Sequence, residues 1–296
     1  MLDKILYNKK IAPYLFIAPF LILFIIFKIG PIIYSIGLSF FDMQGLAGAE
    51  FVGISNYIRL INDGDFWNSV FNNTKYMLGT MVTLIPIPII FAVLLDSKKC
   101  RGKGIFRAIL FLPVLTSLVV AAAVFQILFR EGRVGIINSF IGLFGFSPKD
   151  WLSDPSFTLL SVLIVATWRW MGLNVVYFTT GLTGIPVQLY EAASIDGANK
   201  MQSFIYITLP LLKPIILFVM TLNIIGGYQL FAEVYTLFGS GTTTPRQSAT
   251  TMALYLYRQA FSYMDMGYAS TIGVAMAVII LAITLIQFKF FGTLRK

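Results

Sequence analysis

The chain is 296 residues long, 57% hydrophobic and only 12% charged, whereas soluble domains carry about 25% charged residues. It has no histidine and a single cysteine, Cys100, which excludes an internal disulfide and leaves little basis for a metal site or His-based acid–base chemistry. A net charge of +9 would suggest nucleic acid in a soluble protein; in a chain this apolar it follows membrane topology instead.

Spanning a bilayer by helix takes about 20 mostly apolar residues, and six stretches qualify: 13–40, 71–95, 105–129, 157–182, 214–238 and 267–291. Each is too long for a buried strand, and the alternation of an outer-membrane barrel is missing. The expected fold class is all-α, a polytopic membrane protein with a transmembrane domain over 13–291 between an N-terminus, 1–12, and a tail, 292–296. The first stretch runs past Lys28 to Phe41 without a small-residue cleavage site, so it is expected to stay as a span. After it, FVGISNYIRLINDGDFW in the 42–69 stretch reads as a short helix starting at Asn56. The glycines and charges of DSKKCRGKG close the second span. The 130–156 loop carries the turn-rich REGRVG and SPKDWLSDP. The 239–266 loop is polar at TTTPRQ and then amphipathic at MALYLYRQAF, which predicts a surface helix at the membrane interface.

Lys and Arg concentrate at 4–10, 98–107, 200, 213, 289 and 295–296, with fewer at Arg59, Arg130, Arg133, Lys149, Arg246 and Arg258. The positive-inside rule puts the first set, and with it both termini, in the cytoplasm. No low-complexity segment or internal repeat is evident.

The loop 183–213 then faces the cytoplasm. Within it, EAASIDGANKMQSFIYITLPLLKP (191–214) has more shape than a connector needs. Pro186 suits the first turn of a helix through Ile195, and Gly197 suits the position after its end. Ala198 to Leu209 reads as a second short helix, stopped by Pro210 and Pro214. Ala192 and Ala193 permit close approach of another backbone, and Glu191 and Asp196 offer acceptors. The residues alone leave two readings: a hairpin that fixes the angle of two spans, and a docking element.

Glu191-Ala192-Ala193, Gly197 and Ile207-x-Leu209-Pro210 resemble the EAA loop of permease subunits of bacterial ABC importers, and EAAxxDGA with ITLP resembles the carbohydrate, maltose/glycerol-phosphate-type subgroup. PYLFIAPFLILF, FVGISNY, RGKGIFRAILFLP and MGYAS resemble the same family in the same order. WRWMGLNVVYF and IIGGYQLF look most like arabino-oligosaccharide permeases of Gram-positive bacteria. The resemblance implies a type I importer permease fold in the bacterial cell membrane. It also implies a coupling helix, with Glu191, Ala192, Ala193, Asp196, Gly197, Ala198, Leu209 and Pro210 docked on an ATPase. The implied partners are a second homologous permease, an ABC ATPase dimer, an extracellular solute-binding protein, a carbohydrate and membrane lipid. Some relatives carry extra N-terminal spans and a large extracellular domain; here six spans and only short outside loops are expected, so a binding protein would dock on those loops and on the partner permease.

The chain has no G-x-x-x-x-G-K-[ST] phosphate loop, so ATP and Mg would be bound by the partner ATPase, and no catalytic constellation is seen. Ionisable groups within spans mark pathways, and Arg169 lies in the middle of 157–182 between Trp168 and Trp170, too central to snorkel. It reads either as a cavity or gate residue or as a structural Arg paired across helices, with Glu233 a possible partner. The family resemblance implies a cavity lined by the helix before the EAA loop (Arg169, Trp170, Leu173, Tyr177) and the helix after it (Asn223, Gly226, Gln229, Glu233). The last four fall near one face at spacings of three or four. Gly226-Gly227 fits close helix packing equally well. Tyr177 and Tyr228 fit packing better than ligand contact, Lys28 and Lys75 are expected to snorkel, and Cys100 is incidental. The rival function is a stand-alone, ion-driven secondary transporter, which would show inverted repeats and broken helices; the sequence gives sign of neither.

Overall fold

The computed structural model describes residues 12–45, 48–97, 100–239 and 244–291. The N-terminal stretch 1–11, Lys98, Lys99 and the tail 292–296, which carry much of the orientation argument, lie outside the described residues, as do 240–243 of the last loop. Four helices are individually long and apolar enough to cross a bilayer: Pro13–Leu38, Gly64–Asp96, Pro155–Thr183 and Met266–Phe290. Of the other two expected spans, 105–129 is the bent pair Lys103–Leu115 with Leu118–Leu128 at 98°, and 214–238 holds Lys213–Tyr228, which meets Lys200–Leu211 of the preceding loop at 63°.

The first bend corrects the expectation of an unbroken helix over 105–129, whereas the second falls just before 214, and the 214–238 span is interrupted instead after Tyr228. In the first, Pro113 removes a helix N–H, and Thr116 and Ser117 are extended, with ψ of 135° and 134°. In the second, Pro210 does not stop its helix. It sits in the first turn of Leu209–Leu211, after a wide π-turn at Phe204–Thr208. The bend falls at Leu212, where Pro214 cannot donate to the carbonyl of Pro210. Lys213–Tyr228 ends ten residues short of expectation and a separate short helix, Ala232–Leu237, follows it. Broken helices are therefore present, although the sequence showed no sign of them.

By backbone packing the chain divides into two units, one of Met1–Asp63 with Leu256–Ala277 and one of Gly64–Tyr255 with Val278–Lys296. In the first, a two-residue antiparallel pair joins Phe41–Asp42 to Glu50–Phe51. Asn56 does not start its helix, which runs Ser55–Ile61 from Ile54. Instead its buried amide donates to the carbonyls of Ser39 at 3.1 Å and Phe41 at 2.9 Å. Asp265 holds Arg59 at 2.7 Å and accepts the Tyr268 N–H at 3.0 Å. Gly267 is close-packed here, since a Cβ would lie 2.0 Å from the Phe41 carbonyl oxygen.

The second unit has two apolar clusters. Pro155–Thr183 serves both, giving Val162, Val165 and Ala166 to one, with Phe125, Phe129 and Trp151, and Val175, Phe178 and Leu182 to the other, with Ile89, Ala92 and Leu212. Between these stretches lie Arg169 to Leu173, and at Gly172 the helix meets Lys103–Leu115 so closely that a Cβ would be 1.8 Å from the Leu110 carbonyl oxygen. The Met252–Tyr257 helix expected at the membrane surface is instead largely inside, with Met252, Leu254 and Tyr255 buried. Its start is anchored where the Met252 N–H meets Asn73 Oδ1 at 2.8 Å.

Candidate functional site

Two features stand out in the second unit, and one stretch of chain connects them. The first is the hairpin at 186–211. Pro186 caps Val187–Ile195, Asp196 ends it, and Gly197 turns the chain with φ of 79°, a conformation that favours glycine. The Ala198 N–H closes the turn on the Ala193 carbonyl at 2.8 Å. Asn199 and Gln202 then form a reciprocal capping box at 2.9 and 2.8 Å, which fixes the start of Lys200–Ser203. The N-x-x-Q pattern was a readable signal that the sequence reading passed over.

One side of this hairpin is keyed to the protein: Tyr190 shares a 2.9 Å hydrogen bond with Thr208, and Tyr190, Phe204 and Ile207 pack on the second apolar cluster. The other side is open and apolar. Ile195 is 87% exposed, Tyr206 76% and Met201 65%, and Glu191, Ala192, Asp196, Leu209 and Pro210 are also exposed while Ala193 and Ala198 are half-buried. Large apolar side chains exposed beside acceptors on a capped hairpin suit a surface that meets another protein.

The second feature is a cavity of about 470 Å³. Seven of the eight expected pathway residues line it: Trp170, Leu173, Tyr177, Asn223, Gly226, Gln229 and Glu233. The eighth, Arg169, is not in its wall. Its Nη1 lies 3.1 Å from Glu233 Oε1, so of the two sequence readings the paired Arg is the one observed, and the pair borders the cavity through Glu233. The guanidinium also sits 5.2 Å from the Trp170 ring. The adjacent glycines divide the two roles proposed for them. At Gly226 a Cβ would meet nothing within 4 Å, whereas at Gly227 it would lie 3.1 Å from Met77 Cβ. Gly226 therefore leaves room in the cavity and Gly227 permits helix packing. Tyr228 is a packing residue, buried and bonded to Thr74 at 2.8 Å, while Tyr177 lines the cavity and packs edge-on against Phe218.

The sequence reading missed the third wall. Tyr76, Thr80 and Leu84 of Gly64–Leu84 face the same space at intervals of four, and Asn174 joins them. It also missed what holds the helix break beside the cavity. Asn73, fully buried, donates to the Gly227 carbonyl at 2.6 Å, and Thr251 donates to the Leu230 carbonyl at 2.6 Å. Backbone groups released where Lys213–Tyr228 ends are thus satisfied by side chains from two other segments, as a buried break requires. A second cavity, of about 540 Å³, lies toward the starts of Gly64–Leu84 and Pro155–Thr183 and is lined by Lys75, Arg246, Asn68 and Asn72. Lys75 stands over the Phe71 ring at 4.1 Å. Tyr76 belongs to the walls of both cavities.

Residues 84–295 match the family model described as "Binding-protein-dependent transport system inner membrane component". The chain is 41% identical to an arabinooligosaccharide transport system permease protein of Bacillus subtilis, over 98% of this chain and 91% of that one. It is 35% identical to a lactose transport system permease protein of Rhizobium radiobacter, over 93% and 92% of the two chains. Its fold matches a chain of a bacterial ABC transporter involved in import of the acidic polysaccharide alginate, with a TM-score of 0.81 over 96% of each chain at 21% identity.

Proposed function

Since the chain belongs to the family of inner-membrane components of binding-protein-dependent transport systems, a transport subunit and not an enzyme, we propose that it forms half of the pathway of an ATP-driven oligosaccharide importer. It lies in the bacterial cell membrane with both termini in the cytoplasm, beside a second, homologous permease. An extracellular solute-binding protein delivers the sugar, and the 186–211 hairpin docks on an ABC ATPase dimer that holds ATP and Mg. Glu191, Ala192, Ala193, Asp196, Gly197, Ala198, Leu209 and Pro210 belong to that coupling element. Trp170, Leu173, Tyr177, Asn223, Gly226, Gln229 and Glu233 belong to the substrate pathway, with Arg169 beside it as the ion-pair partner of Glu233.

The observation that carries this reading is one run of helix from Lys200 to Tyr228, bent at Leu212. At one end is the exposed apolar hairpin and at the other are Asn223 and Gly226 of the cavity wall. Aromatic faces and neutral polar groups at membrane depth suit a sugar, whose rings stack and whose hydroxyls need partners. ATP-driven closure of the ATPases would move the hairpin and re-orient the cavity between the two sides of the membrane. Broken helices are also a feature of ion-driven carriers, so the deciding measurement is uptake of labelled oligosaccharide into proteoliposomes containing both permeases. The importer reading expects uptake only with the ATPase subunits, ATP and the binding protein. Uptake without ATPase or ATP would establish the carrier.

A further inference from the structure

The 470 Å³ cavity has both hydrogen-bond donors, on Trp170, Tyr76, Tyr177 and Gln229, and acceptors in its wall, but its charge is one-sided. Asn174 already donates to the Trp170 carbonyl at 2.8 Å and Asn223 to the Val219 carbonyl at 3.0 Å, each from its own helix, which leaves their Oδ1 atoms as cavity acceptors. Glu233 is the one carboxylic acid in the wall, which holds no Lys or Arg among the described residues, and its carboxylate only accepts. The nearby cation, Arg169, faces Glu233 Oε1 at 3.1 Å, with both side chains mostly buried. Arg169 Nε is itself buried with no hydrogen-bond partner among the described residues, so this guanidinium is incompletely satisfied even when paired.

We infer that the Arg169–Glu233 pair is a charge filter: Glu233 occupies the place a substrate carboxylate would take on Arg169, so the cavity admits neutral oligosaccharides and rejects uronic-acid ones. This rests on the sugar-pathway reading above. Neutral sugar hydroxyls donate to Asn174, Asn223 and Glu233. A carboxylated sugar would bring a second negative charge beside Glu233, in a site where charges are weakly screened. Removing the Glu233 carboxyl reverses the logic, because a buried arginine without a counter-ion strongly favours an incoming carboxylate.

The test uses the complete complex of both permeases and the ATPases in nanodiscs, without binding protein so that the membrane cavity alone selects. Binding of a radiolabelled neutral xylotriose and of an aldotriouronic acid is measured for the wild type, Glu233→Gln, Glu233→Ala and the double variant Arg169→Gln/Glu233→Gln. Intact assembly of each form is checked by co-purification of the ATPases. The filter predicts that Glu233→Ala shifts the acidic-to-neutral affinity ratio upward by about tenfold or more, the equivalent of about 1.4 kcal/mol. Glu233→Gln shifts it less, because its amide still fills the space, and the double variant returns it close to the wild-type value because the cation is gone as well. An unchanged ratio in Glu233→Ala, with neutral binding retained, overturns the filter and leaves the sugar pathway standing. Binding of neither trisaccharide to any assembled form overturns both. If Glu233→Ala does not assemble, the comparison of Glu233→Gln with the double variant decides: equal ratios in these two overturn the filter.

Discussion

Replacing Gly172 with alanine tests the central helix crossing. The added Cβ would lie 1.8 Å from the Leu110 carbonyl oxygen, 2.3 Å from its carbon and 2.8 Å from the Phe111 nitrogen. All three are backbone atoms, so no side-chain rotation relieves the contact. Ordinary contact between such atoms needs about 3.4 Å, so the helices Pro155–Thr183 and Lys103–Leu115 must separate by about 1.5 Å. Overpacking typically costs about 1–3 kcal/mol, and a clash between two backbones belongs at the upper end, about 3 kcal/mol. Lipid supplies no hydrophobic force to press the helices together again, because close packing is itself the source of helix association there. The loss would show in the yield of assembled, detergent-purified complex and in its apparent unfolding temperature. Gly226→Ala is the matched control, since its Cβ meets nothing within 4 Å. Equal yield and equal thermal midpoint for the two variants would refute the close crossing.

Ile195→Glu changes a side chain that is 87% exposed; insertion and thermal stability should stay as in the wild type while ATP-dependent uptake falls at least tenfold, and undiminished uptake would detach the hairpin from coupling. Gly197→Ala, at φ of 79°, should destabilise the turn by about 1 kcal/mol, read as faster protease cleavage between Ile195 and Lys200 in the purified complex. Asn73→Leu removes the groups that hold the Gly227 carbonyl and the Met252 N–H, so a loss of about 3 kcal/mol is expected, visible as poor assembly; normal yield would show that the break is held by other means. Leu212→Ala opens a space in a fully buried site and should cost about 2–5 kcal/mol, with the sugar transported per ATP hydrolysed falling before hydrolysis itself does.

Hydrophobic run length was enough to place six apolar segments, because a bilayer demands internal satisfaction of the backbone and so enforces long helices. Run length does not reveal where such a helix breaks. The breaks fall on short, ordinary stretches, Thr116-Ser117 in 105–129 and Gln229-Leu230-Phe231 in 214–238, and the partners that make the second tolerable sit far away in sequence: Asn73 for Gly227, Thr251 for Leu230. The same holds for the third wall of the cavity, where Tyr76, Thr80 and Leu84 read as one more apolar helix face until the fold turns that face inward. By contrast Gly197 was legible, since one residue's backbone preference settles it. Asn56 was misread because a short polar residue before a helix suggests a cap, while here its amide is used to tie two distant carbonyls.

Movement of the hairpin has two routes to the cavity, and both run through the same cluster. Tyr190, Phe204 and Ile207 of the hairpin pack where Leu212, Val175, Phe178 and Leu182 meet. From Leu212 the helix Lys213–Tyr228 continues to Asn223 and Gly226. From Phe178 and Val175 the helix Pro155–Thr183 continues back to Tyr177, Asn174 and Leu173. A close-packed cluster deforms little and tends to shift as a body, so displacement of the hairpin would move two walls of the cavity together. The third wall is tied to Lys213–Tyr228 at its far end, through Asn73 and the Gly227 carbonyl. The bend at Leu212 therefore need not act as a flexible joint. Buried completely in the cluster the hairpin packs on, it is the point at which a push on the hairpin would turn toward the cavity.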